Sequence, residues 1–199
     1  MRLGWLCFAW LLQGCGGGDG SGPPATVVGD GGIGGSGGDA AAPKPKIAFV
    51  TSTEYTSDFG SVAKADAQCA TRAAEAGLSG SYMAWLSDST SSPSTRFTRA
   101  EGNYVSVSGT VIAAGWTGLT SGSLKANLDY DEYSEQTTIG LTAWTGTAAD
   151  GTATGDDCND WSGDGQATVG EITAYGFKWS ALPGAQDCAV FRHLYCFEQ

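Results

Sequence analysis

The stretch Cys158–Gln199, CNDWSGDGQATVGEITAYGFKWSALPGAQDCAVFRHLYCFEQ, decides the fold. It holds three of the six cysteines and two of the seven tryptophans, a density that reads as a loop-rich segment pinned by cysteines. It closes on AVFRHLYCF, a run that alternates as a β-strand does. Val190, Arg192, Leu194 and Cys196 face one way, and Phe191, His193, Tyr195 and Phe197 face the other. The stretch supplies neither a nucleophile–base pair nor a phosphate loop.

Upstream, KIAFVTST (Lys46–Thr53) is apolar and β-branched and predicts the first strand of a domain. Ser61–Ala76 predicts an amphipathic helix, with Val62, Ala65, Cys69, Ala73 and Ala76 on one face and Gly77 placed to end it. That face aims Cys69 at the core. Ser81–Ser87 predicts a strand, and Asp88–Thr95 a loop rich in turn formers. Tyr104–Ile112 predicts a hairpin turning at Ser108-Gly109. Gly115-Trp116 and Leu119 predict a buried tryptophan on a short irregular segment. Leu124–Leu128 and Thr137–Leu141 are expected to pair across the acidic loop Asp129–Glu135.

The first 45 residues have a different character. MRLGWLCFAWLLQGC, residues 1–15, has a cationic start and an apolar run too short to span a bilayer, which predicts a secretion signal. Leu12-Gln13-Gly14-Cys15 is similar to a bacterial lipobox, so Cys15 is the expected lipidation site. Each buried methylene of such an anchor contributes about 0.8 kcal/mol. Gly16 follows Cys15, which favours the outer membrane over retention at the inner one. Residues 16–45 are glycine-rich and lack apolar periodicity, as expected of a tether with a reach of about 30 Å. The expected location is the cell envelope, with the membrane met only through the lipid.

The formal charge of −11 disfavours nucleic acid, heparin and anionic lipid as partners. With Cys7 in the signal and Cys15 lipidated, Cys69, Cys158, Cys188 and Cys196 remain. An even number in an exported chain predicts disulfides, and four cysteines allow three connectivities. A zinc site is the competing reading, but there is no Cys-x-x-Cys pair and only one histidine.

Taken together, Ala65-Asp66-Ala67-Gln68-Cys69, Ala76-Gly77-Leu78-Ser79-Gly80, Ala84-Trp85-Leu86-Ser87, Trp144-Thr145-Gly146, Asp150-Gly151, Cys158-Asn159-Asp160-Trp161, Gly165-Gln166-Ala167, Cys188 and Leu194-Tyr195-Cys196-Phe197-Glu198 carry a resemblance. In their order they are similar to endostatin, a domain of C-type-lectin-like fold, and in particular to the endostatin-like surface lipoproteins of leptospires. The resemblance spans residues 46–199. It implies an α+β, C-type-lectin-like domain with long loops, one main N-terminal helix and nested disulfides, Cys69–Cys196 and Cys158–Cys188. It also implies core positions for Trp144 and Trp161. Lys46–Thr56 lacks counterparts of endostatin's zinc-binding histidines, and the basic heparin-binding surface is acidic here, so neither zinc nor heparin is expected.

For function, His193 is the only histidine and lies mid-strand, and residues 46–199 contain no Gly-x-Ser-x-Gly elbow. A non-catalytic binding or adhesion module is the favoured reading, with an extracellular protein or glycan as partner and no cofactor. The alternative is a structural envelope protein recognising the producer's own polysaccharide or protein. Trp179, Arg96 and Arg99 are the candidate ligand surface, although arginines in such positions more often pair with nearby carboxylates or carbonyls. Asp156, Asp157, Asp160 and Asp164 are weak calcium candidates. They match neither an EF-hand nor the paired motifs of sugar-binding C-type lectins, and solvated loop carboxylates are the preferred reading.

Overall fold

The computed structural model describes residues 42–138 and 141–199. The secretion signal, the lipobox Cys15 and most of the predicted tether lie outside the described residues. Among those that are described, no helix is long and apolar enough to cross a membrane.

The fold is mixed α+β and is built on one strand. That strand is β9, His193–Glu198, with five of its six residues buried. Strand β1, Lys46–Val50, runs antiparallel along one edge of it, with Phe49 opposite Cys196. The other edge is shared end to end. Strand β5, Thr142–Trp144, runs parallel to His193 and Leu194, and β2, Tyr82–Ala84, runs antiparallel to Cys196–Glu198. Strands β3, Tyr104–Ser106, and β4, Val111–Ala113, extend the sheet beyond β1, and β7, Val169–Glu171, extends it beyond β5. Strands β6, Gln166–Ala167, and β8, Gln186–Asp187, form a separate two-stranded ribbon.

Both faces of the sheet are covered. Leu194 and Cys196 of β9, with Phe49 of β1, meet the long helix α1, Val62–Glu75. Tyr195 and Phe197, with Ala48 and Val50, meet a second core of Trp85, Phe97, Tyr104, Ile112, Leu128 and Trp179. The alternation read in AVFRHLYCF therefore holds from Leu194 to Phe197. The strand is shorter than predicted, however, because it begins at His193. Val190 and Phe191 precede it and are exposed, Phe191 at 64%.

Helix α1 forms where the apolar spacing predicts. Val62, Ala65, Cys69 and Ala73 are buried, and the Ser61 side chain accepts from the Lys64 backbone at the N-terminus. At its other end Gly77 takes φ +72°. The Leu78 N–H donates to the Ala73 carbonyl and the Gly77 N–H to that of Ala74, the paired bonds of a glycine-stopped helix. The short α2, Pro93–Arg96, occupies the end of the predicted loop Asp88–Thr95 and runs one residue past it, and Pro93 opens the turn. Trp116 lies on α3, Gly115–Leu119, and is half-buried rather than buried. Cys69 is bonded to Cys196 and Cys158 to Cys188, so α1 is joined covalently to β9.

The expected pairing of Leu124–Leu128 with Thr137–Leu141 does not form among the described residues. The acidic segment itself is the hairpin. Tyr130 bridges Gln136, the Asp131 N–H donates to the Glu135 carbonyl, and the Thr137 N–H donates to that of Asp129. The Asp131 carboxylate closes the turn by accepting from the Tyr133 and Glu135 N–H groups at 2.9 and 2.8 Å. Glu132, 1% exposed, accepts from Arg72 Nε at 2.7 Å, from the Ser52 N–H at 2.9 Å and from the Ser52 hydroxyl at 2.7 Å. Arg72 thus ties the hairpin to α1. Replacing it leaves a buried carboxylate without its cation, so Arg72→Ala is expected to cost about 3–5 kcal/mol in urea unfolding. The double change Arg72→Met with Glu132→Leu should restore much of that loss. An Arg72→Ala protein within about 1 kcal/mol of wild type would show that the clamp does not hold the hairpin.

Candidate ligand-binding cleft

The residues singled out from sequence do not assemble into a site. Trp179 is wholly buried rather than on the surface. It packs 4.9 Å from Trp85, 5.8 Å from Tyr195 and 6.4 Å from Phe197, ring centre to ring centre. The 3₁₀ turn Phe177–Trp179 folds it back beneath β7. Arg96 is also structural. Its guanidinium pairs with Asp66 of α1 at 2.8 Å and donates to the carbonyls of Ala84 and Leu86, joining helix to strand. Burial lowers its pKa from the ordinary value, and Asp66 acts in the opposite direction. Arg99 is exposed and lies 5.1 Å from the centre of the Trp116 ring, a cation–π contact.

The four aspartates read as weak calcium candidates do not converge either. Residues Cys158–Trp161 form a tight turn, α4, with all four φ values between +55° and +60°. Left-handed backbone costs roughly 1–2 kcal/mol per residue, least for Asn and Asp, which occupy its middle. Asp157 holds the turn by accepting from the Asp160 N–H at 3.0 Å, and Asp160 accepts from the Ser89 N–H at 2.8 Å. The Trp161 indole donates to the Ser87 carbonyl at 2.8 Å, and Cys158 is fixed to Cys188. Asp156 and Asp164 are exposed. Among the described residues, no three His, Cys, Asp or Glu side chains are grouped to hold a metal.

A cleft of about 720 Å³ opens elsewhere, beside the acidic hairpin. Asn127, Asp129, Gln136, Thr137, Thr138 and Thr173 line it. One wall is the hairpin, held by Asp131 and Glu132 as described. The other is the turn that follows β7, where the Ala174 N–H donates to the Glu171 carbonyl. Asp129 is 5% exposed and lines the cleft. Its Oδ2 accepts from Gln136 Nε2 at 2.8 Å, and no described residue donates to its Oδ1. The Asn127 Oδ1 is buried and has no partner among the described residues. The Tyr195 hydroxyl is likewise buried without a partner among the described residues; burial, with the charges of Glu171 and Asp129, raises its pKa well above the ordinary value.

None of the six lining residues stood out in the sequence. The run Asp129–Glu135 was visible as acidic. Which of its acids closes a turn, which meets Arg72 and which lines a cleft depends on partners that are distant in sequence. No protein-family model matches the chain, and the curated proteins include no significant match.

Proposed function

We propose that this chain is a cell-envelope lipoprotein whose residues 46–199 form an endostatin-like, C-type-lectin-like binding module that recognises an extracellular protein or glycan without catalysing a reaction. The observation that carries this reading is the cleft at Asp129. A hairpin whose other buried acids have partners presents one buried carboxylate, one oxygen of which accepts from no described residue, to a recess lined by amide and threonine side chains. Preformed recesses of this kind, with a few placed polar groups, are how proteins commonly hold ligands. The nested disulfides support the fold reading, since they are the pairs that the resemblance implies. Loops held on a stapled scaffold suit recognition.

The test is a binding screen of the whole purified chain against a glycan array and a set of matrix and serum proteins, each with calcium and with chelator. Metal-independent binding to an external protein or glycan is the expected result. Chelator-sensitive glycan binding would instead make it a calcium-dependent lectin. Silence throughout would reject external recognition in favour of a partner within the producer's own envelope.

A further inference from the structure

Resting on that reading, we infer that the Asp129 cleft is a calcium-independent site for a neutral carbohydrate, with Asp129 accepting hydrogen bonds from sugar hydroxyls. Three observations carry this. The first is the chemistry of the lining. Five of the six side chains are uncharged amides or threonines, able to donate to or accept from hydroxyl groups. A cationic ligand would meet a single carboxylate here, because Asp131 and Glu132 are bonded within the hairpin and to Ser52 and Arg72. A polyol would meet complementary groups on every wall.

The second is what the lining lacks. Asn127 Oδ1 is a buried acceptor for which the described residues provide no donor, and beside it Asp129 Oδ1, on a residue more than nine-tenths buried, accepts from none of them. A buried acceptor left without a donor is costly, and vicinal sugar hydroxyls supply two donors at neighbouring positions. A carboxylate is the strongest acceptor for them, since hydrogen bonds to charged groups exceed those between neutral ones.

The third is an exposed aromatic on the segment that follows β7. Tyr175, 56% exposed, lies two residues beyond Thr173. Its carbonyl accepts from the Leu124 N–H at 2.7 Å, three residues before Asn127. An exposed aromatic on the same turn as the lining residue Thr173 can offer an apolar face to the C–H side of a sugar. The volume of about 720 Å³ is ample for a monosaccharide or disaccharide.

The experiment is saturation-transfer NMR on the whole chain in chelator, with glucose, galactose, mannose, N-acetylglucosamine, maltose, cellobiose and lactose as probes, and an oligolysine peptide beside them. Transfer to at least one neutral sugar is expected, insensitive to salt. Asp129→Asn should weaken it by about tenfold or more. Thr138→Trp, at an exposed lining position, should abolish it while leaving Asp129 and the fold untouched, as checked by thermal melting. Tyr175→Ala should weaken it by several-fold. Sugar bound equally well by wild type, Asp129→Asn and Thr138→Trp overturns the cleft assignment and leaves the binding-module reading standing. No transfer to any of the probes overturns the carbohydrate assignment, and protein binding in the broader screen then separates that failure from failure of the module reading. Oligolysine bound at the cleft with steep salt dependence, and no sugar, replaces the carbohydrate with a basic peptide.

Discussion

Gly170→Ala is expected to destabilise the domain by about 4 kcal/mol or more, and to release the Trp179 turn from β7. A Cβ at position 170 would lie 1.9 Å from the Trp179 carbonyl oxygen, 2.8 Å from its carbon and 2.9 Å from the Tyr195 ring. Two of these are backbone atoms, which no side-chain rotation can move. Closely packed interiors respond to added volume by shifting whole segments, and here the segment carries Trp179, which contacts Trp85, Tyr195 and Phe197. Gly176→Ala is the control. Its Cβ would meet nothing within 4 Å and its φ is −79°, so its effect should stay within about 0.5 kcal/mol. Urea unfolding followed by tryptophan fluorescence reads both. A Gly170→Ala protein as stable as Gly176→Ala would mean that the Trp179 turn does not pack on β7.

Replacing Cys69 and Cys196 together by alanine should cost about 5 kcal/mol, the loop-closure value for a bridge between residues 127 apart. The equivalent change at Cys158 and Cys188, 30 apart, should cost about 4 kcal/mol by the same relation. The longer bridge carries the larger effect because it removes more freedom from the unfolded chain. It also joins α1 to β9, the strand on which the rest of the sheet is assembled. Both its sulfurs are fully buried, so reductant should act only once the domain opens. Equilibrium unfolding of the two double variants gives the ranking. A Cys69→Ala, Cys196→Ala protein that loses less than about 1 kcal/mol would show that packing alone holds the helix to the strand.

The elements with local signals were legible in the sequence. Helix α1 was set by the spacing of Val62, Ala65, Cys69 and Ala73, and its end by Gly77. Strand β1 was legible from its β-branched run, and the β3–β4 hairpin from Ser108-Gly109. The cysteine count predicted disulfides but left three connectivities; the nested pairing came from the resemblance, and the structure has that pairing. Trp179 was misread because FKW carries no periodic signal. Its burial follows from the space left by Gly170, nine positions earlier, and from the Trp85 ring, 94 positions earlier. Arg96 looked available for a ligand because Asp66, its partner, is 30 residues away.

The sequence by itself determined the course of helix α1 and its stop at Gly77, the turn at Ser108-Gly109, the alternation of Leu194, Tyr195, Cys196 and Phe197, and the presence of a cysteine-stapled α+β domain. These rest on interactions within a turn or two of chain, which local residue types set directly. Only the tertiary structure decided that β9 is shared by β1, β2 and β5, that Trp179 is core, and that Asp129 lines a cleft while Asp131 and Glu132 do not. A carboxylate acquires its role from the donors around it. In this fold those donors come from α1, from the residues just after β1 and from the far side of the hairpin, so that role forms only when the chain closes.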